Sequence, residues 1–267
     1  MFTLVRPISV REPPSCCALT QTEAVEDALK SIFRMIGRCE PPTTSALARD
    51  LGIKPPTVSA MLKRLEDHGL IERGVDHTAV LTAHGVEHAR TVIRRHRLLE
   101  TFLFQILDVP WDEVHADAEV LEHAVGERLL ARIDDFLGHP VTDPHGDPIP
   151  PATGGYVEQW SQRLDSVEPG ITFRIDRVDD RVGAALRYLA DIGVRPGVTV
   201  EVLERAPFGG PLWLGVDGHR HALGDLLTTV IYGRAVPVPT ATSTAGHDLD
   251  RRSSPMGSAD TMRRRVQ

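Results

Sequence analysis

Apolar residues along the first third of the chain recur every three to four positions. Val25, Leu29, Ile32, Phe33 and Ile36 fall on one face and predict a helix over Gln21–Ile36. Pro41 and Pro42 end it, and Thr43 opens a short capped helix to Leu51. Gly52 makes a turn. Pro55 and Pro56 then start a third helix to about His68, since proline is tolerated in a first turn. Gly69 stops that helix. Leu70–Arg73 and Ala79–Thr82 predict two short strands around Gly74–His77. A long helix follows over Gly85–Leu107, and another from Trp111 to about Gly126 that continues to Ile133. Residues 138–156, with Pro140, Pro144, Pro148, Pro150 and Pro151, predict an irregular linker. From Gly170 the period changes to two. Ile171–Ile175, Thr199–Leu203, Leu212–Val216 and Val230–Tyr232 read as strands, with a helix near Val182–Asp191, which together predict a small β-barrel.

The fold class is therefore mainly α with a small β part. The expected division is a disordered lead over 1–19, a winged helix-turn-helix over 20–90 and a helical domain over 91–150. A linker over 151–169, the β domain over 170–238 and a disordered tail over 239–267 complete it. Hydrophobic residues make up 41% of the 267 and charged residues 25%, which fits a globular protein and excludes collagen-like and wholly disordered chains. No apolar run approaches the ~18 residues of a membrane-spanning helix. Met1–Thr20 has no apolar signal-peptide core, so a cytoplasmic location is expected. Cys16, Cys17 and Cys39 match no zinc pattern or disulfide framework.

Leu47–Arg73 has the order helix, glycine turn, helix, hairpin. On a wheel of about 100° per residue, Val58, Met61, Leu62 and Leu65 form the buried stripe of the second helix. Ser59, Ala60 and Lys63 face outward, with Thr57 and Arg64 on the flanks. Pro56 and the small residues after it keep the helix tip slim enough for a major groove. Lys54, Lys63 and Arg64 can meet phosphates, Thr57 and Ser59 can reach base edges or phosphates, and His77 on the hairpin tip can touch the adjacent backbone. The plainer alternative is a helix-turn-helix used only for packing.

Residues 91–150 contain five Arg, no Lys and twelve Asp or Glu, so they carry the whole of the chain's net charge of −7, together with five of its twelve His. A solvated acidic face would explain the charge alone. The pattern says more. His115, Glu119, Glu122 and His123 share one stripe of a helical wheel, beside an apolar stripe of Val114, Ala118, Leu121, Val125 and Leu129. His96 and Glu100 are spaced i, i+4 on the helix before. Carboxylates and imidazoles at such spacing on packed helices bind transition metals, and crowded carboxylates need a counter-charge.

With these pieces in place the sequence resembles the diphtheria-toxin-repressor family of iron- and manganese-dependent transcription regulators, over about Thr20 to Val238. Arg94–Leu103 (RRHRLLETFL), Val114–Val125 (VHADAEVLEHAV) and Asp143–Pro150 (DPHGDPIP) carry it, together with the upstream winged helix. The resemblance implies a DNA-binding domain, a metal-binding and dimerisation domain, and a C-terminal SH3-like domain. It implies a primary metal site of Asp27, Glu119, Glu122 and His123 and an ancillary site of His96, Glu100 and His115, with Asp179 and Asp180 as the nearest further ligands from the SH3-like domain. Iron-type members carry sulfur where this chain has Asp27 and Glu119. Hard oxygen ligands favour Mn(II), with Fe(II) the alternative. Dinuclear manganese-type members have an acidic residue where this chain has Lys30, so separate primary and ancillary sites are expected. The implied protein is a homodimer on a palindromic DNA operator, repressing metal-uptake genes with Mn(II) as corepressor. The rivals are an iron-dependent repressor, a metal-dependent hydrolase and a constitutive DNA-binding protein with structural metal.

Overall fold

The structure is a computed structural model and describes residues 22–237 apart from 75, 155, 157 and 159. The expected lead and tail lie outside the described residues. Helices α1 (Glu23–Gly37), α2 (Thr44–Asp50) and α3 (Pro55–Asp67) precede the hairpin β1 (Ile71–Arg73) and β2 (Ala79–Leu81). They enclose one core in which Leu29, Ile32, Leu47, Val58, Leu62, Leu65 and Leu70 have almost no exposed surface. Thr43 caps α2 by accepting from the Ala46 amide at 3.1 Å, and Pro55 opens α3 where no donor is needed.

The long helix α4 (Ala83–Leu107) leaves the wing, capped by the Thr82 hydroxyl on the Gly85 amide. A Cβ at Gly85 would lie 2.0 Å from the Leu70 carbonyl, so glycine lets the helix start against the hairpin. Its lower half packs under α5 (Val114–Leu121) and α6 (Glu127–Leu137), with Leu99, Leu103, Val114, Ala118 and Ile133 between them.

Trp111–Ile133 is two helices, not the one continuous helix that the sequence pattern predicts. Helix α5 ends at Leu121, and Glu122 is its C-cap. His123 lies in the turn that follows, and Gly126, in an extended conformation, starts α6. A single helical wheel therefore does not run through this stretch. Leu121 and Leu129, expected in the buried stripe, are exposed at 37% and 52%.

The β domain is one six-stranded antiparallel sheet in the order β3–β8–β4–β5–β6–β7. Its strands are β3 (Gln162–Arg163), β4 (Thr172–Val178), β5 (Thr199–Arg205), β6 (Leu212–Val216), β7 (His219–Leu223) and β8 (Ile231–Ala235), with α7 (Gly183–Asp191) and the single turn α8 (Asp225–Thr228) inserted. Strands β3 and β7 were not expected. A bulge between Ile175 and Arg177 adds one residue to β4, so Asp176 is skipped and Arg177 turns inward.

The described residues of the 138–156 stretch are irregular, as expected, but they do not act as a slack linker. Asp143, His145, Asp147 and Ile149 are buried. Three arginines of α4 hold the proline run by its carbonyls: Arg97 donates to Pro148 at 2.7 Å, Arg94 to Pro150 at 2.7 Å, and Arg90 to Pro151. Gly146 sits at φ +87°, and a Cβ there would lie 2.0 Å from the Asp176 carbonyl. The loop therefore docks directly on the bulged strand. Gly146→Ala is expected to cost roughly 2–5 kcal/mol, from left-handed backbone strain plus overpacking. Urea unfolding would show this as a lowered midpoint, and an unchanged midpoint would mean the loop is free of β4.

Candidate metal centre

Four elements bring their carboxylates and imidazoles into one continuous row. Helix α1 supplies Asp27, α4 supplies His96 and Glu100, and α5 with its following turn supplies His115, Glu119, Glu122 and His123. Asp180, just after β4, closes the row from the β domain. Asp27, Glu122 and His123 form one convergent group: His123 Nε2 lies 3.2 Å from Asp27 Oδ1 and 3.5 Å from Glu122 Oε1. His96, Glu100, His115 and Asp180 form a second, with His96 Nε2 3.0 Å from Glu100 and 3.1 Å from His115 Nδ1, which is 2.9 Å from Asp180.

Two expected ligands are placed differently from the rest. Glu119 accepts from Lys30 Nζ at 2.7 Å, and the same ammonium reaches Glu122 at 2.6 Å. Lys30 thus fills the niche between Glu119, Glu122 and His96 with a positive charge. Asp179 is outside both groups, engaged by Arg181 at 2.9 Å and Arg38 at 3.4 Å. Arg34 lies 3.5 Å from Asp180. Lys30 and Arg34 on α1 and Arg38 at its C-cap are spaced i, i+4, i+8, so one edge of the helix turns two cations to the acidic row and a third to Asp179 beside it.

Asp143 and His145 were not foreseen as site residues. With Glu100 they form a third, fully buried group. His145 Nε2 donates to the Trp111 carbonyl at 2.9 Å, which leaves its Nδ1 lone pair facing Glu100 at 4.0 Å. The motif DPHGDPIP held both residues, but the loop gave no periodic signal for where they point.

The electrostatics fit a bound cation. Asp27 Oδ1, Glu100 Oε2, Asp143 Oδ2 and His145 Nδ1 are buried without a hydrogen-bond partner. Such atoms are costly unless an ion or water satisfies them. Burial pushes the Asp143 carboxyl well above its usual range, and the Glu100 charge adds to this. Burial also raises Asp27, against the pull of Lys30. At Glu122 burial is outweighed by the His96 hydrogen bond and by Lys30, which hold the carboxyl down to about 2. The donor set is oxygen and imidazole without sulfur, which suits a hard or borderline divalent cation.

The same arrangement has known relatives. Residues 20–77 match the family described as iron dependent repressor, N-terminal DNA binding domain, and residues 82–151 its metal binding and dimerisation domain. Residues 162–234 match the FeoA domain. The iron-dependent repressor IdeR of Mycobacterium tuberculosis (strain ATCC 25618 / H37Rv) is 35% identical over 211 residues, covering 74% of this chain and 91% of the relative. The chain belongs to the iron-dependent repressor family. The diphtheria toxin repressor of Corynebacterium diphtheriae is 26% identical over 197 residues, covering 68% of this chain and 85% of that one. Among solved structures, a manganese-dependent transcriptional repressor in complex with manganese superposes with a TM-score of 0.75 at 38% identity, over 79% of this chain and all of that one. The manganese regulator SloR gives 0.69 at 31%, over 79% and 98%. This is a family of metal-dependent DNA-binding transcriptional repressors, not of enzymes, and the hydrolase reading falls away.

The residues expected to meet DNA lie on and beside α3 and at the hairpin tip. Lys54, Pro56, Thr57, Ser59, Ala60, Lys63 and Arg64 are all exposed, while Val58, Leu62 and Leu65 are buried beneath them. His77 is exposed at the hairpin tip with φ 61°.

His115 gives this repressor a pH signature in its metal-free form. Burial would lower its pKa, but the neighbouring Asp180 carboxylate outweighs burial and lifts it from 6.5 to about 10. That stabilisation is complete below 6.5 and is lost as pH rises toward about 10. The unfolding free energy of the metal-free protein should fall across this window, and His115→Asn should flatten the fall. Parallel profiles for the two proteins would remove His115 as its source.

Proposed function

We propose that this chain is a manganese-responsive repressor of metal-uptake genes, with Mn(II) as corepressor, acting as a homodimer on a palindromic operator. The observation that carries it is the convergence of Asp27 with Glu122 and His123. Asp27 belongs to the first helix of the DNA-binding domain, and the other two belong to the bundle. A cation shared among them favours the arrangement in which α1 is docked on the bundle, and so fixes the spacing of the two α3 helices in the dimer. Half-sites about one helical turn apart are matched only at one such spacing. Metal and DNA then strengthen each other's binding by the same factor.

Lys30 supports one ion at this primary centre. Its ammonium already neutralises Glu119 and Glu122 on the side toward His96. A second, separate ion is best served by His96, Glu100, His115 and Asp180, with Asp143 and His145 behind Glu100. Fe(II) is favoured by one observation, the 35% identity to an iron-dependent repressor. The oxygen-rich primary set argues for Mn(II), which stands at the weak end of the divalent affinity order and is selected by ligand hardness and geometry. The manganese-dependent structural neighbour, at 38% identity, supports the same choice.

The dimer reading rests on the segment matched to a dimerisation domain. There α5 and α6 leave Val120, Leu129 and Phe136 exposed at 76%, 52% and 68%. Apolar side chains so placed suit burial against a second copy. Among the described residues no helix is long and apolar enough to cross a membrane.

DNA binding measured anaerobically against buffered Mn²⁺ and Fe²⁺ tests the function. Operator affinity should rise at least tenfold with Mn²⁺ and respond less to Fe²⁺ at equal free concentration. Asp27→Ala should abolish the rise while leaving the circular dichroism unchanged. Equal affinity with and without metal would overturn the mechanism, and a stronger response to Fe²⁺ would reassign the corepressor. Separately, Phe136→Glu should shift the protein to monomer in sedimentation velocity; a retained dimer would place the interface elsewhere.

A further inference from the structure

His123 is gripped from both edges by consecutive residues of α1. Its Nε2 faces Asp27 Oδ1 and Glu122 Oε1, at 3.2 and 3.5 Å. Its Nδ1 lies 2.9 Å from Glu26 Oε2 on the opposite side of the ring. Glu26 is buried, although it sits in the first turn of a helix, where a glutamate normally points to water. Its neighbour there is Arg95 of α4, 3.5 Å away. Arg95 also donates to the Glu122 carbonyl at 3.0 Å and pairs with Glu127 at 3.1 Å. The guanidinium thus fixes Glu26 and, through the Glu122 peptide, the backbone on which His123 rides.

We infer that Glu26 is a positioning residue for the metal-binding edge of His123. A neutral imidazole has one N–H and one lone pair, and the hydrogen bond at one nitrogen decides which is which. When an ion sits beside Asp27 and Glu122, Nε2 must give it the lone pair, and the N–H then lies on Nδ1, where Glu26 accepts it. A carboxylate bonded to the far nitrogen also makes the ring a stronger ligand. Because Glu26 and Asp27 are adjacent on α1, one half of the contact between α1 and the bundle forms without metal, and the ion completes the other half. This inference rests on Asp27, Glu122 and His123 being the primary site.

The full-length protein tests it through two readouts. The first is Mn²⁺ binding, followed by the electron paramagnetic resonance of free Mn²⁺, at the site that Asp27→Ala removes. Glu26→Ala should weaken it about 10- to 100-fold, the range typical of lost outer-shell partners. Glu26→Gln should recover part of the loss, since its amide oxygen still accepts from Nδ1–H but carries no charge. The second readout is the tautomer of His123 in protein labelled with ¹⁵N-histidine and loaded with diamagnetic Zn²⁺. The signal is identified by its absence in His123→Asn. The proton should be on Nδ1 in the wild type, and its exchange with water should quicken in Glu26→Ala. Wild-type Mn²⁺ affinity in Glu26→Ala, or an Nε2–H tautomer in the unmutated protein, overturns the inference. If Asp27→Ala itself leaves Mn²⁺ binding intact, the reading of the centre fails instead, so the two failures are distinguishable.

Discussion

The burial of a row of carboxylates is the constraint on which the rest of the structure depends. Glu100 and Glu122 have no exposed surface, and Asp143 and Asp180 have almost none. Charges so placed are tolerated only when paired or bound to cations. The protein answers with fixed cations on one side, Lys30 and Arg34 on α1, Arg38 at its C-cap, and Arg97 and Arg177 beside the proline loop. On the other side it leaves lone pairs unmatched at Asp27, Glu100, Asp143 and His145. What the resident cations do not neutralise defines where a mobile one is wanted.

Much of this was legible in the sequence. The reading helix was, because its burial follows a 3.6-residue period cleanly and proline and glycine mark its ends. The pairing of His96 with Glu100, and the facing of His115 and Glu119, were legible for the same reason. The break after Leu121 was not, because a helical wheel assumes continuous helix and Gly126 is only a weak interruption by composition. The wheel still placed Glu122 and His123 near the site, although His123 reaches it from a turn. Strand β7 was missed because His219, Arg220 and His221 show no apolar alternation. The Asp217–Gly218 pair before it, at φ 46° and 79°, was the available hairpin signal.

The other unforeseen feature is the work done by the proline-rich stretch. Composition shows only that it is irregular. It becomes ordered through long-range contacts from three α4 arginines to its carbonyls, while the Asp143 carboxylate folds the loop locally by accepting from the His145 and Asp147 amides. Arg97 alone touches Pro148, Tyr156 and Glu158. Such contacts join residues some fifty positions apart, beyond the reach of any local pattern. They carry the two donors, Asp143 and His145, to the back of Glu100.

The pairs Arg34–Asp180 and Arg38–Asp179 join α1 to the β domain in a setting where all four side chains are nearly dry. Separating a buried pair strands a charge at a cost on the order of 3–5 kcal/mol. A swing of the N-terminal head away from the bundle therefore has to work against the third domain as well as the second. The FeoA-like sheet thus serves as ballast for the N-terminal head, held to it by these two dry ion pairs.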